Sequence, residues 1–310
     1  MKIIVIGQGA FGAKIVQALL NKDETVIGAY IPPDVPGTPI DPMKEIVLDN
    51  QIPVYQPHGY RESKVFDEYC GLRPQLTILA FVRDIIPARF FEFPSYGAIC
   101  FHPSLLPRHR GGSSISWTLI MGDTRTGVTI FWPDEGIDTG PIVLQKEVEI
   151  GLDDTTGSLY FNHLFPLGVE ALVESVDLIE AGTAPKIPQD ESKATYEPPC
   201  DDSVAAIDWA KPAQEIHNLI RGCDPQPGAY TITPRGKIRL YQPRLTPMTV
   251  EDSPGTILAV EEDGIQVAAS GGTITIGKVR SEDGKKVRAS EYAKKASLAV
   301  GDSLGLGERS

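Results

Sequence analysis

Two short stretches carry residue types that could do acid–base chemistry. The first is Ala98-Ile-Cys100-Phe-His102-Pro-Ser-Leu-Leu-Pro-Arg-His-Arg110-Gly-Gly112, in which His102 closes an apolar strand and a Pro- and Arg-rich loop follows. The second is Asp134-Glu-Gly-Ile-Asp138-Thr-Gly140, a glycine-bracketed acidic loop after another apolar run. In open α/β sheets, side chains at strand ends face the ligand crevice. An imidazole and a carboxylate on neighbouring loops there supply a general acid–base pair, the carboxylate fixing the ring's tautomer and stabilising its charged form. Each residue also has an ordinary reading. A lone histidine is more often a hydrogen-bonded structural residue, and Asp138 could cap a turn, as Asp134 and Glu135 are expected to do. The surrounding pattern favours the chemical reading of His102 and Asp138.

Gly7-x-Gly9-x-x-Gly12, between a first strand and a first helix, has the form of a dinucleotide-binding loop. Its expected partner, an acidic residue ending the second strand, is missing. That strand ends Tyr30-Ile-Pro-Pro33, and Asp34 arrives late in a proline-rich loop. Glycines also occur where a strand must turn sharply into a packed helix, so no NAD(P) is expected. Cys70, Cys100, Cys200 and Cys223 are far apart and form no Cys-x-x-Cys pair, which argues against a disulfide framework, a zinc site or any other metal centre. Cys100 has no evident helix N-terminus or basic neighbour to activate it and reads as a packed small residue. His58, His163 and His217 lack paired ligand spacing. Arg108 and Arg110 could bind substrate carboxylates or pair with local acids.

The elements that must position these residues alternate. Strands are expected at Lys2–Gly7, Thr25–Ile31, Ile52–Tyr55, Leu76–Phe81, Ala98–Phe101, Gly127–Trp132 and Ile142–Glu149. Helices fall at Phe11–Asn21, Ser63–Cys70, Ala88–Phe91 and Ser114–Met121, and a long one runs over Thr155–Ala181 with a break near Pro166. This alternation predicts an α/β fold with an open, mostly parallel, Rossmann-like sheet. Gly182–Ser203, rich in proline, is a linker or extended crossing segment. A helix at Lys211–Arg221 follows, and then short strands between turn residues, the signal for a small antiparallel, OB-like β-barrel. The expected domains are 1–203, with the linker at about 182–203, and 204–310. Ala296–Ser310, rich in Gly and Ser, is expected to fray.

With 310 residues, 41% hydrophobic and 23% charged, the chain can build a sizeable core. A net charge of -12 argues against nucleic acid as the main partner, because phosphate binding needs clustered Lys and Arg. The first apolar run stops at Gly7, which reads as a strand and not a signal peptide, and no stretch is long enough for a membrane span. A reducing cytoplasm is the expected compartment.

His-x-Ser-Leu-Leu-Pro-x-x-Arg-Gly followed by Asp-x-Gly-x-Asp-Thr-Gly resembles the formyltransferase and hydrolase family that uses 10-formyltetrahydrofolate. The wording is most similar to the branch found as the N-terminal hydrolase domain of 10-formyltetrahydrofolate dehydrogenases. Ile115-Ser-Trp117, Ala194-Thr-Tyr-Glu197 and Ile216-His-Asn-Leu-Ile-Arg-Gly222 extend the likeness along essentially the whole chain. The resemblance implies a formyltransferase fold, a folate substrate, His102 as catalytic histidine and Asp138 as essential aspartate. It also implies that the backbone of Asp84-Ile85-Ile86 reads the edge of the pterin ring, as substrate-binding residues. Transferases of the family carry Asn where this chain has Cys100, beside the formyl group. A thiol is a weak donor, and the hydrolase branch also lacks the Asn, so the resemblance favours water as acceptor. Formyl transfer to an amino sugar, a small amine or methionyl-tRNA is the alternative. A non-catalytic folate-binding protein is a rival from another class. Family members that act on tRNA have a basic insertion after the second strand. Here Ile31–Asn50 holds Lys44 as its only basic residue among four acids, which speaks against tRNA as a partner. The oligomeric state is left open by the sequence.

Overall fold

The computed structural model describes residues 1–282 and 284–305. In chain order the elements begin β1 (Lys2–Gly7), α1 (Gly9–Asn21), β2 (Thr25–Tyr30), α2 (Pro42–Asp49), β3 (Val54–Tyr55) and α3 (Ser63–Gly71). Next come β4 (Leu76–Ala80), α4 (Arg89–Glu92), β5 (Ala98–His102), α5 (Ser114–Ile120), β6 (Arg125–Phe131) and β7 (Ile142–Glu149). The remainder is α6 (Thr156–Leu159), α7 (Phe165–Glu180), α8 (Ala213–Gly222), β8 (Tyr230–Thr233), β9 (Gly236–Pro247), β10 (Ile257–Glu261), β11 (Gly264–Ala269), β12 (Gly272–Ser281), β13 (Val287–Arg288) and α9 (Ala289–Ala296).

Two compact units result. The first comprises Met1–Gly112, Thr126–Val148 and Phe161–Glu197; the second comprises Ser113–Arg125, Glu149–Tyr160 and Pro198–Ser310. In the first unit a seven-stranded sheet has the order β3-β2-β1-β4-β5-β6-β7. The pairs β1–β2, β2–β3, β1–β4 and β4–β5 are parallel. The β5–β6 pair is antiparallel, with Cys100 opposite Phe131 and His102 opposite Thr129. This is the mostly parallel α/β sheet expected. Its central strands are continuous apolar runs, as strands buried on both faces must be: Ile3, Ile4, Val5, Ile6, Ile78 and Ile99 are at most 1% exposed. Phe11 of α1 stacks on Phe101 of β5, with centroids 4.3 Å apart, and meets Phe165 of α7 edge-on at 5.4 Å.

The long helix expected over 155–181 is interrupted earlier than Pro166. A π-helical turn, Tyr160–Leu164, separates α6 from α7. Proline has no N–H to donate and its ring crowds the carbonyl four residues back, so the strain is taken up in the turn before it. Helix α2 was not expected inside the proline-rich 31–50 stretch, yet its start signals are present. Asp41 is the N-cap and accepts the Met43 N–H at 2.8 Å, Pro42 sits in the first turn, and Glu45 lies there too.

In the second unit the antiparallel strands follow the path β10-β11-β12-β9-β8, with β13 added to β12. Trp209, Ile216, Ile220, Leu240, Val267 and Ile276 are in its core. The path does not close between β10 and β8 by strand pairing among the described residues. The segment 301–305 bridges that gap instead. Ile257 N–H donates to Asp302 O at 2.8 Å, Leu304 N–H to Gly255 O at 2.8 Å, and Gly305 N–H to Ile232 O at 2.9 Å. The expected fraying of 296–310 is therefore corrected for 301–305, whose backbone groups are paired; residues 306–310 lie outside the described residues.

Candidate active site

His102 is the last residue of β5 and is buried, with 5% of its surface exposed. Both ring nitrogens have neighbours. Nε2 lies 2.8 Å from the main-chain oxygen of His109, and Nδ1 lies 3.4 Å from Oδ2 of Asp138. A carbonyl only accepts, so Nε2 carries a hydrogen in this arrangement. The loop from 103 to 109 is tied down by buried hydroxyls. Thr129 Oγ1 donates to Ser104 O at 2.7 Å and accepts from Leu106 N–H at 3.1 Å and Gln145 Nε2 at 2.9 Å. Ser104 Oγ donates to Arg108 O at 2.7 Å.

Asp138 reaches His102 by a different route from the one its sequence position suggests. Because β6 runs antiparallel to β5, it ends at Phe131, beside Cys100. The Asp138 loop therefore leaves the sheet alongside β5 and folds back toward His102. Asp138 has φ +56°, a left-handed conformation that costs a non-glycine residue about 1–3 kcal/mol unless its surroundings impose it. Those surroundings are visible. Oδ2 accepts the Gly111 N–H at 2.8 Å, and the Asp138 carbonyl accepts from Nε2 of Gln189 at 2.8 Å. Gly111 itself has φ +97°, a value that only glycine adopts freely and that directs its N–H at the carboxylate.

The proline-rich 182–203 stretch takes the second of its two expected forms, an extended crossing segment. Its residues 182–197 belong to the first unit and build much of the site wall. Gln189 Nε2 also bonds Gly140 O at 2.8 Å, and its Oε1 accepts from Arg110 at 2.8 Å. Arg110 forms a forked pair with Glu191, at 2.7 and 3.0 Å, and this pair holds the Glu191 carboxyl below the usual carboxylate range. Of the two readings for Arg110, local pairing is the one observed. Further along, Arg110 N–H donates to Thr195 O at 3.1 Å, Thr195 N–H to Pro107 O at 3.1 Å, and His109 N–H to Thr195 Oγ1 at 2.8 Å. The motifs at 102–111 and 194–197 are thus one structural unit. Gln189, Glu191, Thr195, Glu197 and His109 were not singled out as site residues from sequence; His109 stood inside the 102–111 motif and Thr195 and Glu197 inside the Ala194–Glu197 wording, whereas Gln189 and Glu191 carried no signal.

Cys100 lies two residues before His102 and so on the same face of β5. Burial, and then the Asp138 charge, push its thiol well above the ordinary value, so it is a protonated thiol. Cys100 packs against a cluster that includes Ile86, Tyr60, Tyr69 and Phe90. Ile86 is buried in that cluster, whereas Asp84 and Ile85 are exposed on the segment that leaves β4, the strand beside β5. A separate cleft of about 530 Å³, lined by Tyr96, Gly97, Trp132, Ile179 and Lys186, opens at the start of β5, away from His102.

The glycine-rich loop has a packing explanation. A Cβ on Gly7 would come within 2.1 Å of Ala80 O, and one on Gly12 within 2.5 Å of Met43 Sδ. The Gly9 N–H at the start of α1 donates to the Asp41 carboxylate at 2.9 and 3.0 Å. An internal carboxylate thus occupies the seat that a pyrophosphate takes in dinucleotide-binding loops. Among the described residues no group of three or more His, Cys, Asp or Glu side chains converges as a metal cage. No helix among them is long and apolar enough to cross a membrane.

Comparison with known proteins agrees with this architecture. Residues 1–176 match the formyl transferase family and residues 201–297 match the formyl transferase C-terminal domain. The chain belongs to the formyl transferase family. It is 37% identical over 314 residues to the cytosolic 10-formyltetrahydrofolate dehydrogenase of Xenopus laevis, covering 97% of this chain and 35% of that protein. The chain thus spans about a third of that relative's length. It is 34% identical over 310 residues to the methionyl-tRNA formyltransferase of Alkaliphilus oremlandii strain OhILAs, covering 98% of this chain and all of that protein. Among solved structures, HypX from Aquifex aeolicus in complex with tetrahydrofolic acid has the same fold, with a TM-score of 0.69 at 17% identity. The match covers all of this chain and 50% of that one.

Proposed function

We propose that the chain hydrolyses 10-formyltetrahydrofolate to tetrahydrofolate and formate, using His102 and Asp138 on a catalytic part made by residues 1 to about 203. The observation that carries this reading is the His102 imidazole, which has an acceptor at each nitrogen, His109 O at 2.8 Å and Asp138 Oδ2 at 3.4 Å. A ring set this way can gain a proton and hold the resulting cation at both ends. His102 takes a proton from water as the water oxygen bonds to the formyl carbon. It then returns that proton to the folate nitrogen as the carbon–nitrogen bond breaks, leaving formate and a secondary amine. Asp138 stabilises the imidazolium between the two steps.

Folate as the substrate is supported by the dehydrogenase relative's name and by the tetrahydrofolic acid bound to HypX. The segment of exposed residues Asp84 and Ile85, with Ile86 anchored in the cluster that Cys100 joins, is the surface we assign to the flat pterin ring. Cys100 favours water as the acceptor, since a protonated thiol gives a developing oxyanion only a weak hydrogen bond.

Formyl transfer to an amine is the second reading. It is favoured by the methionyl-tRNA formyltransferase match, which spans that protein's full length. The acidic character of 31–50 therefore does not by itself dismiss tRNA. The test is to incubate the protein with 10-formyltetrahydrofolate alone and measure formate. Release without an acceptor supports hydrolysis. Tetrahydrofolate and an N-formyl product, without formate, formed only after adding an amine, an amino sugar or methionyl-tRNA support transfer, and binding without either product supports a non-catalytic folate protein.

A further inference from the structure

His109 is 3% exposed and adopts φ +55°. A buried, non-glycine residue in the left-handed region persists only where its surroundings over-determine it. Three contacts do so. Its N–H donates to Thr195 Oγ1 at 2.8 Å, its carbonyl lies 2.8 Å from Nε2 of His102, and its ring Nδ1 lies 3.3 Å from Oε1 of Glu197. The Glu197 side chain is itself 10% exposed, and its Oε2 is buried with no hydrogen-bond partner among the described residues. A carboxylate costs free energy when it is removed from water, and a protonated His109 imidazole at this ion-pair distance would offset that cost.

We propose that Glu197 is a positioning residue for His102, acting through His109, and that Nδ1 is the nitrogen of His102 that exchanges the proton. Glu197 and Thr195 grip the His109 side chain and N–H, and this grip aims the His109 carbonyl at Nε2 of His102. Nε2 is thereby kept as the N–H nitrogen, and the lone pair is placed on Nδ1, on the side of Asp138. The orienting role that a third group plays in other acid–base pairs is here given to a peptide carbonyl, which cannot be removed by mutation of its own side chain. Its control falls to the residues that hold the peptide in place.

This inference rests on the hydrolytic reading above, and the test separates the two. If the wild-type protein releases no formate and moves no formyl group, the proposed function fails. If wild-type turnover is present, Glu197→Ala, Glu197→Gln and Thr195→Val are compared with it. Glu197→Gln keeps the shape and an amide oxygen toward His109, so it is the conservative variant and should retain most of the turnover, and Thr195→Val serves if the alanine variant does not fold. The expected result for Glu197→Ala and Thr195→Val is a kcat lowered about 10- to 100-fold, the order expected when a catalytic group is slightly misplaced, with KM for 10-formyltetrahydrofolate nearly unchanged. In ¹⁵N spectra of the ring, neutral His102 should carry its hydrogen on Nε2 in the wild type and become a tautomer mixture in Glu197→Ala. An unchanged kcat with an unchanged tautomer, a loss confined to KM, or a wild-type ring with its hydrogen on Nδ1 would each overturn the inference.

Discussion

Nε2 of Gln189 donates to the main-chain carbonyl of Asp138 at 2.8 Å and holds the aspartate in its left-handed conformation. The same amide bonds Gly140 O, and its oxygen accepts from Arg110, so one side chain joins the acidic loop to the loop after His102. Replacing Gln189 with Ala should cost about 1–3 kcal/mol, because it leaves partly buried acceptors without their donor. Gln189→Glu keeps an acceptor for Arg110 but turns a carboxylate on the Asp138 and Gly140 carbonyls. It should lower formate release at least as much as the alanine variant. Urea denaturation, read beside turnover, separates the two effects.

Loss of either member of the proposed acid–base pair should be felt in chemistry and not in binding. His102→Ala and Asp138→Ala are expected to lower turnover about 10²- to 10⁴-fold, the range that general acid–base catalysis contributes. Folate affinity, measured by fluorescence titration, should stay within a few-fold. Wild-type turnover in either variant would remove the residue from the mechanism.

Strands β1, β4 and β5 were legible because a strand buried on both faces leaves an unbroken apolar run, and their shortness and β-branched content set them apart from a buried helix. His102 and Asp138 were legible because they sit in loops of unusual composition. The route between them was not. The reversal of β6 decides from which side Asp138 arrives, and strand direction leaves no mark in a run such as Gly127–Trp132. Gln189 and Glu197 stayed hidden for another reason. A proline-rich stretch reads as a connector whether it hangs in solvent or lies across a site, and only the hydrogen bonds it makes distinguish the two.

The Asp41 carboxylate accepts two main-chain N–H groups, that of Gly9 on both its oxygens and that of Met43, and so serves two helix starts. Asp41→Ala should therefore cost about 0.5–2 kcal/mol as a lost N-cap, and towards the upper end because α1 loses a partner as well. The thermal midpoint reports this directly. Asp41→Asn, which keeps an acceptor oxygen, should recover part of the loss.

Cys200 and Cys223, far apart in sequence, come together with their sulfurs 3.7 Å apart. The hydrogen bond shared by the two sulfurs holds the Cys200 thiol below the ordinary value and pushes that of Cys223 up. Cys223 is also fully buried, whereas Cys200 is partly exposed. A thiol alkylating reagent at mildly alkaline pH should label Cys200 well ahead of Cys223, whose reaction should await unfolding, because the thiolate is the reacting form. Peptide mapping over a time course reads the order. In Cys223→Ser, Cys200 should react with different kinetics, since a hydroxyl replaces the neighbouring thiol.

His217 in α8 gives the second unit a pH dependence. It is 6% exposed, and its Nδ1 has no hydrogen-bond partner among the described residues. Burial first, and the neighbouring Arg221 charge second, hold its pKa below the ordinary 6.5. Above pH 6.5 the ring is neutral in both folded and unfolded chains and contributes no pH dependence. As the pH falls below 6.5 the unfolded chain takes up a proton that the folded chain still refuses, so stability is lost until the folded value is passed. The slope for one such group approaches about 1.4 kcal/mol per pH unit. His217→Gln cannot titrate, so its urea midpoint should fall less steeply than the wild type's over that window. Parallel curves for the two proteins below pH 6.5 would show that His217 takes no part in the acid response.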